Sequence, residues 1–254
     1  MSAEAASPIT TYFRVCDGVR VRFADSRAES DVTVLLLAPW PESLWAFRRI
    51  WHRVAAVGRV VAIDLPGFGH SDGRPEQIAP DASGAFLALL IDQWGLGAPH
   101  VVGPDVGTAA ALFLAARAPE RVTSLTVGGG AVLYPIEAGG ALKDIIEAPT
   151  LDVLRGLDAR TAIGRAVEAG APSDSEPEVH EDYVSAYDLG RLAESARYWI
   201  TSSRRASAED RASGSVRSPA PVRVRIASRR LVGRTGGGPM RSTRPDSRSG
   251  RCQS

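Results

Sequence analysis

Hydrophobic positions along the first 130 residues fall into two kinds of run. Residues 19–23 (VRVRF) alternate apolar and charged side chains with a period of two, the pattern of a strand with one solvated face. Residues 32–37 (VTVLLL) are nearly continuous in apolar character, the pattern of a strand covered on both faces, and residues 58–64 (GRVVAID), 100–103 and 122–128 (VTSLTVG) repeat it. Between these runs lie stretches with helical spacing, at residues 45–57, 80–95 and the alanine-rich 107–118. Such alternation predicts an α/β fold in which a mostly parallel sheet carries helices on both faces, with residues 1–130 forming the N-terminal part of its core.

From residue 131 to 200 the pattern is helical only, with candidates at 142–147, 150–157, 160–168 and 181–200 and a loop at 170–177. A helical insertion after several βα units reads as a cap over the edge of the sheet. After residue 201 serine, arginine, glycine and proline dominate, and the one apolar run, 222–226, alternates with arginine. Chains of this composition bury too little apolar surface to offset their conformational entropy, so 201–254 is expected to be a disordered tail without further strands. The C-terminal part of the sheet is then expected to be incomplete.

Charge sharpens that boundary. Residues 201–254 hold 13 arginines and three acids, a local balance of +10, so the net +1 of the 254-residue chain leaves −9 for residues 1–200. Arginine outnumbers lysine 29 to 1, which points to GC-rich coding. Out-of-frame reading of such DNA yields arginine, serine, glycine and proline, so the tail reads as a truncated or frameshifted end. The tail contains no aromatic residue to stack on bases, so no nucleic-acid partner is expected. No run approaches the ~20 apolar residues of a membrane span and the first residues lack a secretory pattern, which leaves a cytoplasmic protein with no membrane partner as the expectation. Cys16 and Cys252, at opposite ends of the chain, form neither a disulfide framework nor a cysteine metal cluster. No metal and no cofactor are expected.

The strongest chemical signal is Gly103-Pro104-Asp105-Val106-Gly107, between a strand and a helix. Small residues flanking a central nucleophile permit the strained turn that lifts a side chain above the end of a sheet. A carboxylate there can attack an electrophilic carbon and form an ester that water later cleaves. The same aspartate could equally cap the following helix. Two further segments bear on the choice: Leu36-Leu37-Ala38-Pro39-Trp40-Pro41-Glu42 and Asp64-Leu65-Pro66-Gly67-Phe68-Gly69-His70-Ser71-Asp72, each directly after a strand.

In order and spacing the three motifs resemble those of the α/β-hydrolase family, in particular the epoxide hydrolase and haloalkane dehalogenase branch, over about residues 15–200. The resemblance implies an Asp nucleophile, Asp105, acting on a small electrophilic substrate, an epoxide or a halogenated compound, through a covalent ester. It also implies an oxyanion hole from the backbone N–H groups of Trp40 and Val106. The family's His-Gly-x-Pro loop reads Ala38-Pro39-Trp40-Pro41 here, and Trp40-Pro41 is a candidate cis peptide. Haloalkane dehalogenases carry a tryptophan after the nucleophile whose indole holds the leaving halide; this chain has Val106, which cannot donate. In epoxide hydrolases cap tyrosines donate to the epoxide oxygen, and Tyr183 and Tyr187, four apart, would share one helix face, though such tyrosines also serve as packing residues.

The family completes its reaction with an acid and then a histidine after the nucleophile. The only histidine after Asp105 is His180, inside the helical region, and neither His52 nor His70 is placed like a base. Neither the histidine nor the acid is identified, so a catalytically inactive remnant or a small-molecule-binding pseudoenzyme stands beside the hydrolase reading.

Overall fold

Neighbouring side chains of a strand point to opposite faces, and the central strands here are apolar on both. The computed structural model describes residues 9–130, 140–148, 150–170, 176–188, 190–199 and 223–226. Within them one sheet contains β1 (Tyr12–Cys16), β2 (Val19–Asp25), β3 (Thr33–Leu37), β4 (Arg59–Ile63), β5 (His100–Pro104), β6 (Ser124–Gly128) and β7 (Arg223–Ile226), in the order β1-β2-β4-β3-β5-β6-β7. The β1/β2 and β2/β4 pairs are antiparallel, and β4, β3, β5, β6 and β7 run parallel.

In β3, Leu35 and Leu37 face a core shared with α2 (Pro80–Trp94) and α3 (Val106–Arg117), while Val34 and Leu36 face the opposite core beneath α1 (Arg48–Ala55). Each such side chain, once buried, contributes about 1.5–3 kcal/mol, which makes this two-faced sheet the main source of stability. The α/β architecture expected from the hydrophobic pattern is the observed one.

After β6 come α4 (Gly140–Glu147), α5 (Asp152–Arg155), α6 (Ala159–Gly170), α7 (Pro177–Ser185) and α8, residues 191–199. The single helix expected over 181–200 is two, broken where Gly190 adopts φ 84°, a left-handed conformation open to glycine at little cost. Helices α7 and α8 rest on the loops that follow β3 and β4. Asp182 bonds Arg22 and Ser43, Tyr187 bonds Gly69, and the Arg191 guanidinium donates to the Gly69 and Ser71 carbonyls at 2.8 and 2.7 Å. Those loops leave the C-terminal ends of the parallel strands, where open α/β sheets place their ligands.

Three features depart from the expectation. Strand β1 was not anticipated, because at the sheet edge four of its five residues are exposed and leave no apolar face in the sequence. In β2 the alternation predicts a solvated Arg22, yet Arg22 is buried (6% exposed), because α7 brings a carboxylate to it. Finally, residues 223–226, expected to be disordered, form β7, pairing in parallel with Ser124–Val127. Two β-branched residues, Val224 and Ile226, alternating with arginines suffice for one short strand, a signal lost when composition is averaged over a long arginine-rich stretch. The remainder of 201–254 lies outside the described residues.

Candidate active site

Strand β5 ends at Pro104, and the chain reverses into α3 through Asp105 at φ 50° and ψ −120°. A non-glycine residue there carries strain of about 1–3 kcal/mol and persists only where its surroundings enforce it. The enforcing contacts are short. Asp105 N–H donates to the Gly128 carbonyl at 2.9 Å, Thr108 N–H donates to the Asp105 carbonyl at 2.9 Å, and Thr108 Oγ1 donates to the Gly103 carbonyl at 2.7 Å. Backbone crowds so closely that a methyl group at Gly103 would lie 2.3 Å from the Gly107 carbonyl oxygen, and one at Gly130 would lie 2.2 Å from that of Asp105.

Asp105 precedes the first residue of α3 but makes no side-chain cap to that helix. Its Oδ2 instead accepts the Trp40 N–H at 2.8 Å. The N–H of Val106, at the start of α3, also favours the charged form of the carboxyl. Burial pushes the Asp105 pKa up to about 7; the charge of Glu42 adds to the rise, and the two N–H groups oppose it. The carboxyl therefore titrates near neutrality, and only its charged form is a nucleophile.

Trp40 arrives on the loop after β3, and its bond to Pro41 is cis. Its indole Nε1–H donates to Ser195 Oγ on α8 at 3.1 Å, and Ser195 in turn donates to the Leu192 carbonyl at 2.9 Å. The Val106 side chain is fully buried in the core. Tyr187 is buried, with its hydroxyl accepting the Gly69 N–H at 3.3 Å, and burial raises its pKa so that the phenol keeps its proton. The negative charge of Asp105 is felt at that phenol. Tyr183, on α7, packs among Ile163, Val167 and Val184 within the helical layer. The two tyrosines thus share a cluster, and Tyr187 reaches the loop beneath.

The four histidines of the chain are all placed elsewhere. His52 is exposed on α1, His100 pairs with Ser124 at the opposite ends of β5 and β6 from Asp105, and His180 sits beside Gly164 between α6 and α7. His70 Nε2 donates to the Asp182 carbonyl at 2.8 Å. Among the described residues no group of three or more His, Cys, Asp or Glu is arranged to hold a metal ion, and no helix is long and apolar enough to cross a membrane.

Sequence reasoning missed Arg22, Asp64 and Asp182. Asp64 directly follows β4 and is fully buried, accepting the Leu44 N–H at 2.7 Å and the His70 N–H at 2.9 Å. Burial raises its pKa to about 6, the nearby charge of Asp182 adding to the rise while Arg22 and the two N–H groups oppose it. A methyl group at Gly69 would lie 2.4 Å from that carboxyl, which explains one glycine of the motif. Asp64 was legible as a motif residue; Arg22 and Asp182 come together across 160 residues, and no local pattern marks such a pair.

A sequence profile of the alpha/beta hydrolase fold matches residues 32–149. The chain is 32% identical over 150 residues to a 2-hydroxy-6-oxononadienedioate/2-hydroxy-6-oxononatrienedioate hydrolase of Burkholderia vietnamiensis, a match covering 55% of this chain and 52% of that protein. The chain spans about a third to three fifths of the length of the curated relatives it matches first. Among solved structures, Cfl2 from Burkholderia cenocepacia superposes with a TM-score of 0.69 at 25% identity, covering 82% of this chain and 76% of that one. Epoxide hydrolase A from Mycobacterium thermoresistibile gives a TM-score of 0.66 at 18% identity, with 86% and 82% covered, a likeness of fold.

Proposed function

Starting from the premise that the chain has the α/β-hydrolase fold, we propose that it is a hydrolase in which Asp105 attacks an electrophilic carbon of a small molecule, an epoxide or a halogenated compound. The observation that carries this reading is the Asp105 carboxyl itself, held on a strained turn, making no side-chain cap to the following helix and accepting the Trp40 N–H at 2.8 Å. In the first step one carboxylate oxygen bonds to the substrate carbon while the carbon–oxygen or carbon–halogen bond breaks, leaving an alkoxide that takes a proton or a free halide. In the second, water gives up a proton to solvent as it adds to the ester carbonyl, the negative charge settles on an oxygen facing the N–H groups of Trp40 and Val106, and collapse breaks the bond from the carbonyl carbon to the substrate oxygen, which leaves as the protonated alcohol and restores the Asp105 carboxylate. Fixed donors of this kind commonly account for about 3–4 kcal/mol of transition-state stabilisation each.

The epoxide is the better-supported substrate. A departing halide would need a side-chain donor, and the Trp40 indole N–H is already given to Ser195 while the Val106 side chain has none. A ring-opening alkoxide would find a protonated phenol at Tyr187, which senses the charge of Asp105. Substrate roles for Tyr187 and Tyr183 belong to this proposal.

A second reading is favoured by the histidines, none of which lies against Asp105. Without a base for the ester-cleaving water the chain would be a stalled or inactive member of its fold, alkylated once or binding small molecules without turnover. Incubation with styrene oxide and with a haloacid, followed by intact mass and product analysis, separates the two: turnover supports the hydrolase, and a stable one-to-one adduct supports the stalled form.

A further inference from the structure

Beneath the helical layer lies a charged cluster that the chemistry above does not use. Arg22, buried on β2, donates to both carboxylate oxygens of Asp182 on α7, Nη2 at 2.6 Å and Nη1 at 3.0 Å, and Nη1 stands 3.6 Å from Oδ2 of Asp64. Two carboxylates thus share one guanidinium, with His70 alongside, its Nε2 3.6 Å from Asp182 Oδ1. As a device for stability alone this is a poor choice, because desolvating ions costs about as much as their pairing returns and apolar replacements often do as well. What such a cluster does supply is fixed geometry.

The cluster grips adjoining residues of one loop. Asp182 Oδ2 accepts the Ser43 hydroxyl at 2.5 Å, and Asp64 Oδ1 accepts the N–H of Leu44 at 2.7 Å. The same loop carries Trp40, whose N–H meets Asp105 and whose indole is tied to Ser195. Two of these attachments, Asp182 and Ser195, come from the helices of 177–199 rather than from the sheet layer.

We propose that Arg22, Asp64 and Asp182 are positioning residues that fix the Trp40 loop from above and below, so that seating of α7 on the sheet sets the anion-stabilising N–H against Asp105. The proposal rests on the reading of Asp105 as nucleophile for its catalytic consequence, but not for its structural one. The Trp40 N–H also orients the Asp105 carboxylate for its attack on carbon, and a misplacement of about 1 Å can cost about 10²-fold. Asp182→Asn keeps shape and one acceptor while removing the charge that holds Arg22. Ser43→Ala removes only the loop's hydroxyl contact and serves where Asp182→Asn does not fold.

The test measures two quantities on the full chain. The first is the limiting rate of adduct formation with styrene oxide, with the half-saturating concentration; both variants should lose at least about tenfold in the limiting rate while half-saturation stays within about twofold. The second is amide hydrogen exchange of a peptide spanning residues 38–45, which should speed by at least about tenfold in both variants while a peptide spanning β5 is unchanged. Folded variants that exchange this loop at the wild-type rate overturn the clamp, as does a loss confined to half-saturation. Absence of any wild-type adduct sinks the nucleophile reading instead, and leaves the exchange measurement to decide the clamp.

Discussion

Adding one methyl group at Gly103 should dismantle the turn that presents Asp105. The new Cβ would stand 2.3 Å from the Gly107 carbonyl oxygen and 2.7 Å from its carbon. Both atoms are backbone, so no rotamer change relieves the contact, and β5 and α3 must separate by roughly an ångström to reach ordinary van der Waals distance. Overpacking of this kind typically costs about 1–3 kcal/mol, and main-chain obstruction places Gly103→Ala at the upper end. For a chain of this size about 3 kcal/mol lowers Tm by roughly 6–12 °C. Gly156→Ala is the matched control: Gly156 has φ −87°, and a methyl group there meets nothing within 4 Å. It should be neutral or gain up to about 1 kcal/mol. Paired thermal and urea unfolding, with labelling of Asp105 by styrene oxide on the folded fraction, gives both readings. Gly103→Ala with a Tm equal to that of Gly156→Ala and unimpaired labelling would refute the close-packed elbow.

Asp105 has a pKa raised to about 7 by burial, and the reactive species is the carboxylate, so the labelling rate should rise with pH through about 7 and stand near a tenth of its plateau one unit below; a rate flat from pH 5 to 8 would contradict that environment. Arg22→Met leaves two carboxylates buried without their cation and should cost about 3–5 kcal/mol in urea unfolding at pH 8, with recovery when Asp64→Asn and Asp182→Asn are added. Tyr187→Phe removes the acceptor of the Gly69 N–H and should cost about 1–3 kcal/mol, and it should slow labelling by the epoxide more than labelling by a haloacid if the phenol protonates the ring oxygen.

Much of the fold was legible because its signals are local. The buried runs of β3 and β4 and the spacing of α2 and α3 each encode an environment within ten or so residues, and the structure places them as read. Asp105 could be named because its turn needs small residues at fixed offsets, and Trp40 and Val106 because the loop motifs resemble those of a known family. Arg22 could not, since its burial depends on Asp182 arriving from a helix 160 residues away. Edge strands escaped for the complementary reason: β1 is mostly exposed, and β7 is four residues within a polar stretch, so neither writes a buried face into the sequence. The division of 181–200 into α7 and α8 turned on one glycine at positive φ, which composition alone does not distinguish from a tolerated helical glycine.

The claim on which the account depends is that Asp105 is a nucleophile, and mass spectrometry of the chain after reaction with styrene oxide tests it most directly. A gain of one epoxide mass per chain, mapped by peptide fragmentation to the Asp105 carboxyl and absent from Asp105→Asn, is the predicted result for a stalled ester. Where turnover is fast, reaction in ¹⁸O-water should place the heavy oxygen in Asp105 after many cycles, since water attacks the ester carbonyl and not the substrate carbon. Wild-type protein that acquires neither adduct nor label on Asp105, or an Asp105→Asn variant that reacts as the wild type does, would contradict the account.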